Sequence, residues 1–307
     1  MTRPISPLLP IAFSRDVAAA RARNAAIVAL ESTIITHGMP YPGNLEMARS
    51  VEAIIRDEGA TPATIAVIDG TLHVGLEPEM LEKLARTPDA MKLSRADLAF
   101  AIAERRTGAT TVAATMIAAA RAGIKVFATG GIGGVHRGAE QTFDISADLE
   151  ELARTGVIVV CAGAKAILDI PKTLEVLETR GVPVVTYGEE EFPAFWSRVS
   201  GFKSPLTLHS PAAIANFQVV RDQLGLLGGM LVANPVPADS EIPRDEMEIY
   251  IGRALAKAEH YEIAGKAVTP YLLSAIFDLT DGRSLKTNIA LVENNARLAA
   301  EIAVALL

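Results

Sequence analysis

Cysteine is nearly absent: Cys161 is the only one in 307 residues. That excludes an intrachain disulfide and a cysteine-built zinc cluster, and it points to a reducing compartment, with the cytoplasm as the expected location. Positive charge is in deficit as well. Lys and Arg number 29 against 36 Asp and Glu, a formal net charge of -7. A broad nucleic-acid-binding face is disfavoured, because backbone phosphates need clustered cations; a small acidic ligand in a local basic pocket remains compatible. No apolar run reaches the roughly 20 residues that span a bilayer. The run over residues 157–168 is too short and contains Lys165, while the N-terminal stretch is interrupted by Pro4, Pro7 and Pro10 and followed by Arg15 and Asp16. Neither a membrane segment nor a signal peptide is expected. Internal repeats, Ser- or Gly-rich linkers and low-complexity tracts are missing too, so residues 1–307 read as a single domain.

What is present is a globular balance, 50% hydrophobic and 21% charged residues, in which short β-branched runs alternate with amphipathic segments. That pattern predicts an α/β fold, α/β/α layered, with a mostly parallel sheet, an inserted hairpin and a helical C-terminal third. Strands are expected over residues 25–32, 124–129, 157–162, 183–187 and 229–233. The hairpin is placed at 64–76, around the turn-forming pair Asp69-Gly70. Met47, Val51, Ile54 and Ile55 recur at helical spacing over 45–58, with Asn44 as N-cap and Gly59 as stop. Further helices are expected after the capping box Ser94/Asp97 (through Arg106), up to Arg121, after Ser146, over 174–180, after Ser210-Pro211, and over 245–261, 270 onward and 287 to the end.

Unusual polar residues stand where α/β proteins build sites, at predicted strand ends and in the loops that follow. Glu31 closes the apolar run IVAL, which suits its carboxyl to proton donation; the plainer alternative is a carboxylate satisfied by backbone N–H groups. His37, in the ordered loop STIITHGMPYP, alone reads as structural. Lys165 follows the strand VIVVCAGA, where a desolvated amine is suited to attack a sugar or carbonyl carbon, or else snorkels to the surface. Lys92 could clamp an anion or coat a helix start. Five glycines between Gly130 and Gly138, with His136 and Arg137, could bring backbone N–H groups to a phosphate, although neither the dinucleotide fingerprint nor the P-loop is matched. Asp144 and Asp148 flank a predicted helix start and could hold one hard cation; capping and dipole neutralisation explain Asp148 well and Asp144 less well. Asn288 is expected in the first turn of the last helix, facing a cleft or capping. Cys161, among Val159, Val160 and Ala162, reads as a buried inert thiol.

Taken together, ALESTIITHGMPYP, the lysine of MKLSRADL, GGIGGVHRGAE with DISADL, VVCAGAKAILD, GKAVTPYLL and SLKTNIALVENNA resemble the pseudouridine-5'-phosphate glycosidase family, in the family's order and over nearly the whole chain. The resemblance implies reversible cleavage of the carbon-carbon glycosidic bond of pseudouridine 5'-phosphate to uracil and ribose 5-phosphate. It also implies a divalent cation, usually Mn2+, and a homotrimer. By motif, Glu31 is similar to the family's proton donor and Lys165 to its covalent nucleophile. Lys92, Val112, the stretch Ser146, Ala147 and Asp148, and Asn288 resemble substrate contacts, and Asp144 resembles the metal ligand. The partners implied are small molecules, with no nucleic acid polymer and no membrane. The sugar-kinase domain fused to some members is not expected within these 307 residues. Two other readings remain open on the residues alone: a Schiff-base lyase of the aldolase type, for which Lys165 is equally suited, and a non-catalytic metabolite-binding module.

Overall fold

The computed structural model describes residues 9–263 and 268–307. The prolines at positions 4 and 7 and the first part of GKAVTPYLL lie outside them. The chain begins with β1 (Ile11–Phe13), α1 (Arg15–Ala22), β2 (Ile27–Leu30), α2 (Thr33–His37), α3 (Gly43–Asp57), β3 (Thr61–Ile68), β4 (Thr71–Val74), α4 (Pro78–Ala85), β5 (Met91–Leu93), α5 (Arg95–Ala103), β6 (Gly108–Thr110) and α6 (Val112–Arg121). It continues with β7 (Val126–Ala128), β8 (Val135–His136), α7 (Ala139–Thr142), α8 (Ala147–Arg154), β9 (Ile158–Cys161), β10 (Leu168–Asp169), α9 (Ile170–Thr179), β11 (Val184–Tyr187), β12 (Leu206–Leu208), α10 (Pro211–Gln223) and β13 (Met230–Ala233). Three helices close it: α11 (Arg244–His260), α12 (Val268–Leu279) and α13 (Arg283–Ala305).

The main sheet has the order β1-β4-β3-β2-β7-β9-β13-β11-β12, with β6 beside β3 and β5 beside β6. Strands β2, β7, β9, β13 and β11 are mutually parallel, and β7, β9 and β13 are buried along their whole length. Burial on both faces is why these segments read as continuous apolar runs rather than alternating ones. The expected hairpin is present: β3 and β4 pair antiparallel from Ile68↔Thr71, with Asp69 and Gly70 at φ +50° and +79°. Helix α3 buries Leu45, Met47, Ala48, Val51 and Ile55 on one stripe, the amphipathic spacing of a helix laid on a sheet.

Two features of this topology position a site. Strand β2 connects onward to β3 on one side, whereas its other neighbour, β7, leads to β9 on the opposite side; the carboxyl ends of β2 and β7 therefore flank a topological switch point, where open α/β sheets bind ligands. Strands β2 and β6 also share one edge of β3, paired at Leu30↔Thr64 and Ala66↔Ala109, and β6 runs antiparallel to β3. Their carboxyl ends meet head to head. Ser32 N donates to Thr110 O (3.3 Å), Thr110 N donates to Ser32 Oγ (2.9 Å), and both hydroxyls donate to Ile65 O.

The expected elements stand, with differences at their ends. Helix α5 stops at Ala103, ahead of Arg106, and Arg105 turns the chain at φ +52°. Helix α9 starts at Ile170, because Asp169 accepts from Lys172 N and Pro171 fits the first turn. Asn44 does not cap α3. Pro42 holds the cap position, and the Asn44 amide, 2% exposed, donates to Ile35 O (2.8 Å) and Ala85 O (2.9 Å), tying α2 and α4 to α3. Asn44→Ala leaves both buried carbonyls without that donor, an expected loss of about 2–3 kcal/mol. The check is a lower urea midpoint with unchanged slope.

Candidate active site

Glu31 is the first residue beyond β2 and is partly buried. Its two carboxyl oxygens are occupied separately: Thr33 Oγ1 donates to Oε2 and Thr129 Oγ1, one residue past β7, donates to Oε1. The carboxyl is thereby aimed by hydroxyls from two different loops. Beneath it runs a narrow crevice lined by Leu30, Ile34, Met47, Val51, Gly130 and Val292, among others.

Lys165 lies on the other side of β7. Beyond β9 the chain turns through Gly163, and Lys165 N donates to Ile132 O (3.1 Å) beside the bridge Ile132↔Ala164, so the lysine is pinned against the glycine segment. It is half-buried, and among the described residues no carboxylate is paired with its amine. The residue after it, Ala166, offers its carbonyl to Arg137 (3.4 Å), which also pairs with Glu248. Arg137 is thus turned toward protein partners.

The remaining sequence candidates fall around these two. Lys92 is in the middle of β5, next to the β6 end, and Val112 is the first residue of α6, which opens at the head-to-head junction. Burial, and after it the charge of Lys92, hold the His37 imidazole below its usual range, so His37 is neutral at pH 7 and the cation on this side is Lys92. Ser146 caps α8, its hydroxyl accepting from Asp148 N (3.2 Å), and Ala147 is the exposed first residue of that helix. Asp148 is 7% exposed, with Oδ1 accepting from Ala113 N (2.9 Å) and Oδ2 from Gly133 N (2.8 Å). It clamps the start of α6 to the glycine segment. A Cβ on Gly133 would collide with the Ser146 hydroxyl, which is why glycine stands there.

Asp148 is turned away from Asp144, its two oxygens accepting from Ala113 N and Gly133 N. One expectation is corrected. Asn288 is not in the first turn of its helix: α13 begins at Arg283, so Asn288 is the sixth residue, and its buried Oδ1, without a hydrogen-bond partner, lies toward Gly130. It cannot be a cap; it is an unsatisfied acceptor facing the end of β7. Thr111 Oγ1, at the start of α6, is likewise buried and unpartnered. Such atoms are rare in native interiors and are suited to bonds with a ligand.

Asp144 is separate from this clamp. Its side chain is 42% exposed, with His136 Nδ1 at 3.8 Å from Oδ2, and its backbone carbonyl accepts from His136 N (3.0 Å). Among the described residues no three His, Cys, Asp or Glu side chains gather as a metal cluster. One half-exposed carboxylate suits a hard divalent ion that keeps most of its waters. Cys161 is fully buried, and burial pushes its thiol up to about 12. It is inert, as expected.

Residues 16–305 match the family described as Indigoidine synthase A like protein. The chain is 82% identical over 306 residues to pseudouridine-5'-phosphate glycosidase 1 of Rhizobium johnstonii, covering 100% of this chain and 96% of that protein. The chain belongs to the pseudouridine-5'-phosphate glycosidase family. A second member, from Mesorhizobium japonicum, is 69% identical over 290 residues, 94% of this chain and 95% of its own. Among solved structures, prealnumycin C-glycosynthase AlnA in complex with ribulose 5-phosphate superposes with TM-score 0.91 at 38% identity, covering 98% of both chains. An indigoidine synthase A-like protein of Thermotoga maritima gives 0.88 at 34%, covering 99% of both. In this family setting the α/β architecture and its helical C-terminal region are as the sequence predicted. What sequence reading missed is the pair Thr33 and Thr129: Thr33 stands within ALESTIITHGMPYP without a role of its own, and Thr129 merely ends an expected strand.

Proposed function

We propose that the protein is a C-glycosidase that reversibly cleaves pseudouridine 5'-phosphate to uracil and ribose 5-phosphate through a lysine-linked covalent intermediate. The observation that carries this reading is the placement of Glu31 and Lys165 at the carboxyl ends of β2 and β9, on either side of β7, in a chain 82% identical to a pseudouridine-5'-phosphate glycosidase. A carbon-linked base is a poor leaving group, so direct displacement between paired carboxylates would have to expel a carbanion. The covalent route avoids this. Glu31 gives a proton to the ribose ring oxygen as the ring carbon-oxygen bond opens, and the Lys165 amine bonds to the anomeric carbon and passes a proton back to the Glu31 carboxylate. The nitrogen lone pair then expels uracil, whose ring carbon takes a proton, and an iminium remains on Lys165; water adds to it and releases ribose 5-phosphate and the free amine. Lys92, the start of α6 at Val112 and the stretch Ser146, Ala147 and Asp148 line the sugar-phosphate side. Asn288 Oδ1 accepts from a base N–H. The direct test is uracil release from pseudouridine 5'-phosphate followed by absorbance; a protein that releases none refutes the reading.

Asp144, with His136 beside it, would hold a divalent cation, Mn2+ or a similar ion. When bound, such an ion neutralises charge on the anionic substrate. Asp144→Ala is expected to lose most turnover, and chelation to reproduce that loss reversibly. Full turnover in excess chelator, with metal-free protein verified by elemental analysis, refutes the requirement. Assembly as a homotrimer in the cytoplasm completes the proposal. Among the described residues no helix is long and apolar enough to cross a membrane.

A further inference from the structure

Asn295 is an anomaly on α13. Its neighbours on the buried stripe, Leu291, Val292, Ala296, Leu298 and Ala299, are apolar and at most 5% exposed, yet an amide with 0% exposure stands among them. A buried amide is costly unless every bond is made, and Asn is also a poor helix former, so neither burial nor propensity explains it. Its bonds all leave the helix. Asn295 Nδ2 donates to Thr129 O (2.8 Å) and, at longer range, to Gly130 O (3.5 Å), while Oδ1 accepts from Asn234 Nδ2 (3.2 Å).

These partners lie just past the ends of β7 and β13, the two strands that flank β9. Thr129 N donates to Val160 O in β9 (3.0 Å), so with its carbonyl on Asn295 the Thr129 backbone is held from both sides, and its hydroxyl is left directed at Glu31. Asn234, just past β13, donates its own N–H to Cys161 O (2.7 Å), the last residue of β9, four residues before Lys165. Gly130 allows the helix this close: a Cβ there would sit 3.3 Å from Val292 Cγ2 and 3.6 Å from Asn288 Oδ1. Asn288, Leu291, Val292 and Asn295 thus form one i, i+3, i+4, i+7 stripe laid on the end of β7.

We infer that Asn295 is a positioning residue for catalysis: through the Thr129 carbonyl it aims the Thr129 hydroxyl at Glu31, and through Asn234 it keeps that carboxyl in register with the strand end that leads to Lys165. This rests on the roles assigned above to Glu31 and Lys165. It predicts a loss confined to turnover, since Asn295 is fully buried and its bonds end on protein groups.

The test compares Asn295→Leu, Thr129→Val, the double variant and Thr129→Ser for uracil release. Rates are taken per competent site, titrated by borohydride trapping of ribose 5-phosphate. Asn295→Leu and Thr129→Val are each expected to lower kcat tenfold or more with KM changed less than twofold. The double variant should be little worse than either single one, because both act through the same hydroxyl. Thr129→Ser, which keeps the hydroxyl, should recover most of the loss seen in Thr129→Val. If Asn295→Leu fails to fold, the Val and Ser variants at position 129 carry the test. Near-normal kcat in Thr129→Val, losses that multiply in the double variant, or an effect confined to KM overturns the inference. A wild-type protein that releases no uracil refutes the functional reading instead, so the two failures are distinguishable.

Discussion

Lys165→Arg is expected to abolish uracil release, by on the order of 10⁴-fold or more, the scale of removing a covalent nucleophile. Arg keeps the positive charge but does not give up its proton at working pH, so it cannot bond to the anomeric carbon. Binding of the phosphate ester should survive. The structure adds a reason to expect a clean result: Lys165 is held through its backbone, by N–H donation to Ile132 O, so replacing the side chain leaves the loop in place. Borohydride reduction of the wild-type protein with ribose 5-phosphate should convert the iminium to a stable amine and map a pentose-phosphate adduct to the peptide carrying Lys165. An adduct on Lys92 instead would reverse the proposed roles of the two lysines.

For Glu31→Gln the expected fall in turnover is roughly 10²- to 10⁴-fold, the range that a positioned general acid supplies. The amide keeps the shape of the carboxyl and can still accept from one threonine hydroxyl, so substrate affinity should change little. Loss of kcat with KM preserved is the signature of a group that acts in the transition state. Near-normal turnover in the Gln variant would remove Glu31 from the mechanism. The same experiment bears on Thr33 and Thr129, since the amide offers one acceptor oxygen where the carboxyl accepts from both hydroxyls.

Much of the architecture was legible in the sequence because its causes are local. The apolar runs of β9 and β13, the Asp69-Gly70 turn, the Ser94/Asp97 capping box and the Ser146 and Ser210 caps each depend on residues a few positions apart, and each is found where expected. Glu31 and Lys165 stood out for the same reason, as charged groups beside strand-like segments. Local reasoning misplaces two asparagines: Asn44, expected as an N-cap, bonds carbonyls of α2 and α4, and Asn288, expected in a first turn either facing a cleft or capping, faces Gly130 from the second turn of α13.

Alone, the sequence determined the alternation of strands and helices, the inserted hairpin, the inert Cys161 and the residue types available for acid and amine chemistry. Tertiary structure alone decided how they meet. The bond from Thr129 to Glu31 spans 98 positions and that from Asn295 to Thr129 spans 166, and both exist because strand order places β7 beside β2 and packs α13 across its end. The head-to-head meeting of β2 and β6 likewise depends on their sharing one edge of β3. Periodicity and capping act over one or two turns of chain, whereas the partner of a buried carboxyl or amide is set by which distant segments the sheet brings within hydrogen-bonding distance.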